Sequence, residues 1–118
     1  MIYIGFSTQS NKLSARILCR TYRHCGPILI ARNKCVLYQF VRYKKIVPIS
    51  INRRDINILK HFGWYFIKYD GAIINKHLLK SNAITCVQFT KRAIGIKDIT
   101  IQTPDTLLKY LQTHNTHQ

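Results

Sequence analysis

Apolar and polar positions first fall into short runs and alternations, broken by two stretches of helical spacing, and then into a helical ending. Residues 2–6, IYIGF, form an unbroken apolar run and predict a short buried strand. Ser7 to Asn11 read as a polar turn. Residues 11–22, NKLSARILCRTY, place Leu13, Ile17 and Leu18 on one face and bases on the other, as a helix would. HCGPILIAR predicts a strand from about Gly26, with His24 at its head. An Asn33-Lys34 turn and the run CVLYQFVRY complete a hairpin. Residues 44–51, KKIVPISI, suit a third strand. Pro48 cannot donate to a ladder, so it puts that strand at a sheet edge.

RRDINILKHFG has Ile56, Leu59 and Phe62 at helical spacing and a terminal glycine. WYFIKYDG is aromatic-rich and reads as a strand that turns at Asp70-Gly71. Residues 72–81 fit neither period. NAITCVQFTKRAIGI then reads as a helix with both ends marked. Thr85 and Gln88 match a capping box, and Gly95 stands where a left-handed C-cap belongs, with Ile96 as its apolar contact. Phe89, Ala93 and Ile96 share one face. A last helix opens at Thr103-Pro104, with proline at the first helical position and Leu107, Leu108 and Leu111 as its stripe. The tail is expected to fray, giving a single domain over 1–112 and a loose end over 113–118. The pattern is α+β: an antiparallel sheet packed against helices.

The length of 118 residues fits one domain, and 47% apolar residues suffice for one core. Charge changes the picture more. There are 19 Lys and Arg against four acids, Asp55, Asp70, Asp98 and Asp105, for a net charge of +15. Both halves of the chain are basic, and the bases form no concentrated run. Such a field attracts nucleic acid, an anionic membrane surface or an anionic wall polymer, although a bias toward Ile, Asn and Lys would also produce it. No carboxylate pair is evident for metal-dependent nuclease chemistry. The start of the sequence has no long apolar signal core, and no run approaches transmembrane length. A reducing compartment such as the cytoplasm is the expected location.

Four cysteines occur, Cys19, Cys25, Cys35 and Cys86, and none forms a CxxC pair. Cys19, His24, Cys25 and Cys35 lie close in sequence but lack zinc-ligand spacing, so neither metal nor cofactor is expected. His61, His77, His114 and His117 show no partner pattern. The cluster Trp64, Tyr65, Phe66 and Tyr69 beside Lys68 suits base stacking in one reading and a half-buried strand in the other.

Cys86 is the residue with chemical promise. It falls at the first position inside a helix, where unpaired N–H groups and the helix dipole favour a thiolate. The plainer reading is a small buried apolar filler. A thiol hydrolase also needs a base and an orienter. His24 heads a strand, and Gln39 lies on the next strand of the hairpin. A turn near Asn33 would bring the Gln39 amide oxygen to the imidazole and fix its tautomer.

The stretches FSTQSNKLSARIL, RHCGPILI, VLYQF, TCVQFTKRAIGI and TPDTLLKYL, in that order, resemble the circularly permuted branch of the papain-like NlpC/P60 superfamily, and small phage or prophage members in particular. The resemblance covers nearly the whole chain. It implies a papain-like fold with Cys86 as nucleophile, His24 as general base and Gln39 as orienter. It further implies hydrolysis of an amide or ester bond in a peptidoglycan peptide or a lipid or acyl substrate. Anionic wall polymers or phospholipid surfaces would suit the charge. The alternative is a catalytically silent scaffold, a basic phage-particle component that contacts nucleic acid or other particle proteins.

Overall fold

A computed structural model describes residues 2–8, 24–32, 34–42, 45–69, 83 and 85–114. Within them lie five strands and three helices. In chain order these are β1 (Ile2–Ser7), β2 (His24–Ala31), β3 (Lys34–Arg42), β4 (Lys45–Asn52), α1 (Arg53–His61), β5 (Trp64–Tyr69), α2 (Cys86–Ile94) and α3 (Pro104–His114). The strands form one antiparallel sheet in the order β4-β3-β2-β1-β5. The α+β expectation therefore holds. The helix expected over 11–22, the Asp70-Gly71 turn and the ambiguous stretch 72–81 fall outside the described residues.

The sheet has two differently covered faces. Side chains alternate across each strand. Ile2, Ile4, Phe6, Cys25, Phe40 and Ile67 point toward α2 and α3 and pack with Val87, Phe89, Ala93, Ile94, Leu107 and Leu111. Tyr3, Ile28, Ile30, Cys35, Leu37, Trp64 and Phe66 line the other face, which Ile56 of α1 helps to cover. α1 has no fully buried residue, although its segment carries the chain from the edge strand β4 to β5 at the opposite edge.

Local chemistry explains the boundaries. Pro48 sits on β4, an edge strand, where the missing N–H costs no interior ladder bond. The backbone N–H of Asn52 donates to Asp55 Oδ2 at 2.9 Å and fixes the start of α1. Gly63, at φ 91°, lets the chain reverse from α1 into β5. At the start of α3, Thr103 Oγ1 accepts from the Thr106 N–H at 3.2 Å, with Pro104 at the first helical position.

Four expectations shift. Ser7 is the last residue of β1, buried between His24 and Trp64, and does not begin a turn. The hairpin reverses one residue earlier than expected. Lys34 already pairs with Ala31, and Arg32 carries the strained positive φ of 56°. Phe62 is the C-cap of α1 and is 66% exposed, since it follows the last helical turn and leaves the face of Ile56 and Leu59. α3 continues to His114, whose ring stacks on Tyr110 at 4.0 Å and whose Nδ1 lies 2.9 Å from Tyr110 O. No described helix is long and apolar enough to cross a membrane.

Candidate active site

α2 places Cys86 by its own end chemistry. Thr85, in extended conformation, is the N-cap, and its Oγ1 accepts from the Gln88 N–H at 3.0 Å. The Phe89 N–H closes the first helical bond on Thr85 O at 3.0 Å. Gly95 at φ 81° ends the helix, and the Ile96 N–H returns to Lys91 O at 2.9 Å. Phe89, Val87, Ala93 and Ile94 are buried on the sheet, so the helix is pinned along its length and Cys86 is held at its first turn.

β2 and β3 place the other two side chains. His24 Nε2 lies 2.8 Å from Gln39 Oε1, which makes Nε2 the protonated nitrogen and leaves Nδ1 as the basic one. The contact runs diagonally across the hairpin, since Ile28 pairs with Leu37 and the register carries Gly26 opposite Gln39. Trp64 meets the His24 ring edge-on at a centroid distance of 6.1 Å and limits its rotation. Trp64 in turn lies over Gly5 and stacks on Phe66 at 5.8 Å. A Cβ at Gly5 would stand 2.9 Å from the indole, so only glycine leaves room for it.

Alternation puts His24, Gln39 and Trp64 on the α1 face and Cys25 on the α2 face. Being the first residue of its strand, His24 stands at the sheet's end, within hydrogen-bonding reach of the Cys86 sulfur. The Cys25 thiol stands 4.0 Å from Cys86 Sγ. Together these neighbours depress the Cys86 pKa from its ordinary 9.0 to about 4. Hydrogen bonding from the Cys25 side chain contributes most, followed by hydrogen bonding and positive charge from His24, while burial acts in the opposite direction. A thiol is a weak donor, whereas His24 is the neighbour that can both stabilise the thiolate and carry a proton.

The three residues expected from sequence are thus brought to one place. Three further participants were not anticipated as such. Cys25 faces the Cys86 sulfur. Thr90, fully buried, donates to Cys86 O at 2.8 Å and lies 3.6 Å from Cys25 Sγ. Trp64 reads from the sequence only as part of an aromatic run. That run divides between faces: Trp64 and Phe66 join the α1 layer, Tyr65 is exposed, and the Tyr69 hydroxyl donates to Ile94 O at 3.2 Å on the α2 side. It is not one stacking platform. Among the described residues no three His, Cys, Asp or Glu side chains gather as a metal site, and Cys35 lies buried in the α1 layer, away from Cys25.

No protein-family model, curated protein or solved structure matches this chain.

Proposed function

We propose that the chain is a thiol hydrolase of papain-like design, of the permuted NlpC/P60 kind that its sequence resembles, acting on an amide or ester carbonyl. The observation that carries this reading is the relay at the end of the sheet. Gln39 Oε1 holds His24 Nε2 at 2.8 Å, and His24 acts on a Cys86 sulfur already ionised near neutral pH. The Cys86 thiolate attacks the carbonyl carbon. His24, as imidazolium, protonates the leaving amine or alkoxide, and then takes a proton from the water that hydrolyses the acyl-enzyme. Gln39 keeps the ring in the tautomer that turns its basic nitrogen to sulfur.

The first turn of α2 offers the oxyanion donors. Thr85 Oγ1 occupies the Gln88 N–H and Thr85 O the Phe89 N–H. Those of Cys86 and Val87, which no intrahelical bond uses at these positions, would face a developing oxyanion. Peptidoglycan peptides and acyl or lipid esters are the substrate classes to screen, and a cytoplasmic or phage-particle setting belongs to the same proposal. Purified protein is incubated with stem peptides and with short-chain acyl esters, beside Cys86→Ala. Hydrolysis lost in the variant supports the reading, and equal hydrolysis by both removes it.

The net charge of +15 favours a second reading, a scaffold that binds an anionic polymer and catalyses nothing. Tight nucleic-acid binding that falls steeply with salt, with no thiol-dependent hydrolysis, would support it.

A further inference from the structure

Two thiols meet at this site, and the hydrolytic chemistry requires only one. Cys86 is partly exposed at the helix start, while Cys25 is fully buried beneath it with its sulfur 4.0 Å away. Thr90 links the two residues, donating to the backbone Cys86 O and lying 3.6 Å from Cys25 Sγ, and so fixes the first turn of α2 beside Cys25. Cys35 lies in the other core layer. Among the described cysteines, Cys25 is thus the one positioned to react with a modified Cys86.

We infer that Cys86 and Cys25 form a peroxide-responsive pair, in which Cys86 is oxidised first and Cys25 resolves it as a disulfide. Exposure assigns the order, since a hydroperoxide reaches Cys86 and not the sealed Cys25. The low pKa of Cys86 adds to this by keeping the attacking form populated. In the first step the Cys86 thiolate attacks one peroxide oxygen. The S–O bond forms, the O–O bond breaks, and hydroxide leaves with the two electrons lost by sulfur. In the second step the Cys25 sulfur attacks the Cys86 sulfenic acid. The S–S bond forms, the S–O bond breaks, and the departing hydroxide takes the Cys25 proton to leave as water. The first hydroxide takes up the proton that Cys86 lost on ionising, so two thiols and one hydrogen peroxide give one disulfide and two waters. Closing the gap from 4.0 Å to bonding distance takes a side-chain rotation on each partner. The product occupies both sulfurs, so the oxidised site has no nucleophile and dithiol reductants restore it.

The test uses the full chain with hydrogen peroxide, followed by trypsin digestion without reductant. Cleavage after Arg23, Arg32, Lys80 and Lys91 releases HCGPILIAR and SNAITCVQFTK. These two peptides are expected as one cross-linked species, with alkylation of Cys86 lost after peroxide and recovered fully with dithiothreitol. In Cys25→Ala, peroxide should drive Cys86 to sulfinic and sulfonic acids that dithiothreitol does not reverse. The wild-type peptides decide the matter even if that variant fails to fold. Cys86 sulfinic acid beside a free Cys25 thiol, a link from Cys86 to another cysteine, or a Cys86 that alkylates readily yet resists peroxide would each overturn the inference. Cross-linking without hydrolysis of any substrate would leave it standing and remove the hydrolase.

Discussion

The helices on the two faces of the sheet are seated to different depths. On the α2 and α3 side, Phe6, Phe89, Leu107 and Leu111 are sealed and the helices lie flat on the strands. On the α1 side the strand residues Ile28, Cys35 and Leu37 are just as buried, but α1 has no fully buried residue and Ile58 and Phe62 stand in solvent. The candidate site draws on both. Cys86, Cys25 and Thr90 belong to the α2 side, and His24, Gln39 and Trp64, each only partly buried, to the α1 side. A nucleophile benefits from rigid placement and a low-dielectric floor, whereas a base that shuttles protons benefits from contact with water. The sheet's end is where both conditions are met.

The largest expected effect separates chemistry from scaffold. Cys86→Ala should lower hydrolysis by on the order of 10⁴-fold or more while the urea midpoint barely moves, since the thiol is replaced by a small apolar group. Next comes the packing contrast. Phe89→Ala on the α2 side should cost about 3–5 kcal/mol in chemical denaturation. Phe62→Ala on the α1 side should stay within about 0.5 kcal/mol. Equal losses would mean that the two helices are not seated differently in the sense argued.

The relay gives the third test. Because the Cys86 pKa lies near 4, alkylation by iodoacetamide should be flat from neutral pH down toward 5 and fall to half near pH 4, as protonation removes the thiolate. A cysteine with an ordinary pKa would gain reactivity only on approaching pH 8.5. Gln39→Leu removes the acceptor of the His24 proton. It should move that midpoint upward and lower hydrolysis by about 10- to 100-fold, the worth of one hydrogen bond to a charged group. An unmoved midpoint would detach Gln39 from the site. The smallest effect is at the cap. Thr85→Ala should cost about 1 kcal/mol of stability and raise the midpoint slightly, by loosening the turn that carries Cys86.

The sequence made some of this legible and hid the rest for physical reasons. Pro48 marked an edge, Thr85 and Gly95 bracketed α2, and a hairpin turn near Asn33 put Gln39 within range of His24. These are local signals, each carried by a residue with few conformational options. The division of the site between faces was not legible. In HCGPILIA, residues 25–28 are all buried, so apolar periodicity gives no clue as to whether His24 or Cys25 points toward α2. Cys25 and Thr90 acquire meaning only after α2 is laid on β2. Trp64 does so only after β5 pairs with β1, setting it beside Ser7 and hence near His24. The position of the α1 helix was readable, but its shallow seating was not, since Ile56, Leu59 and Phe62 look alike in spacing and differ in where the helix stops.

The strand order also sets a timetable for biosynthesis. β1 is flanked by β2 and by β5, so the sheet is complete once Tyr69 has left the ribosome. At that moment His24 and Gln39 can already face each other, and the sealed face lacks its cover. Cys86 emerges later, at the head of the helix that provides that cover. The neighbours that lower the Cys86 pKa, Cys25 and His24, therefore come to it in the same event that lays α2 on the sheet.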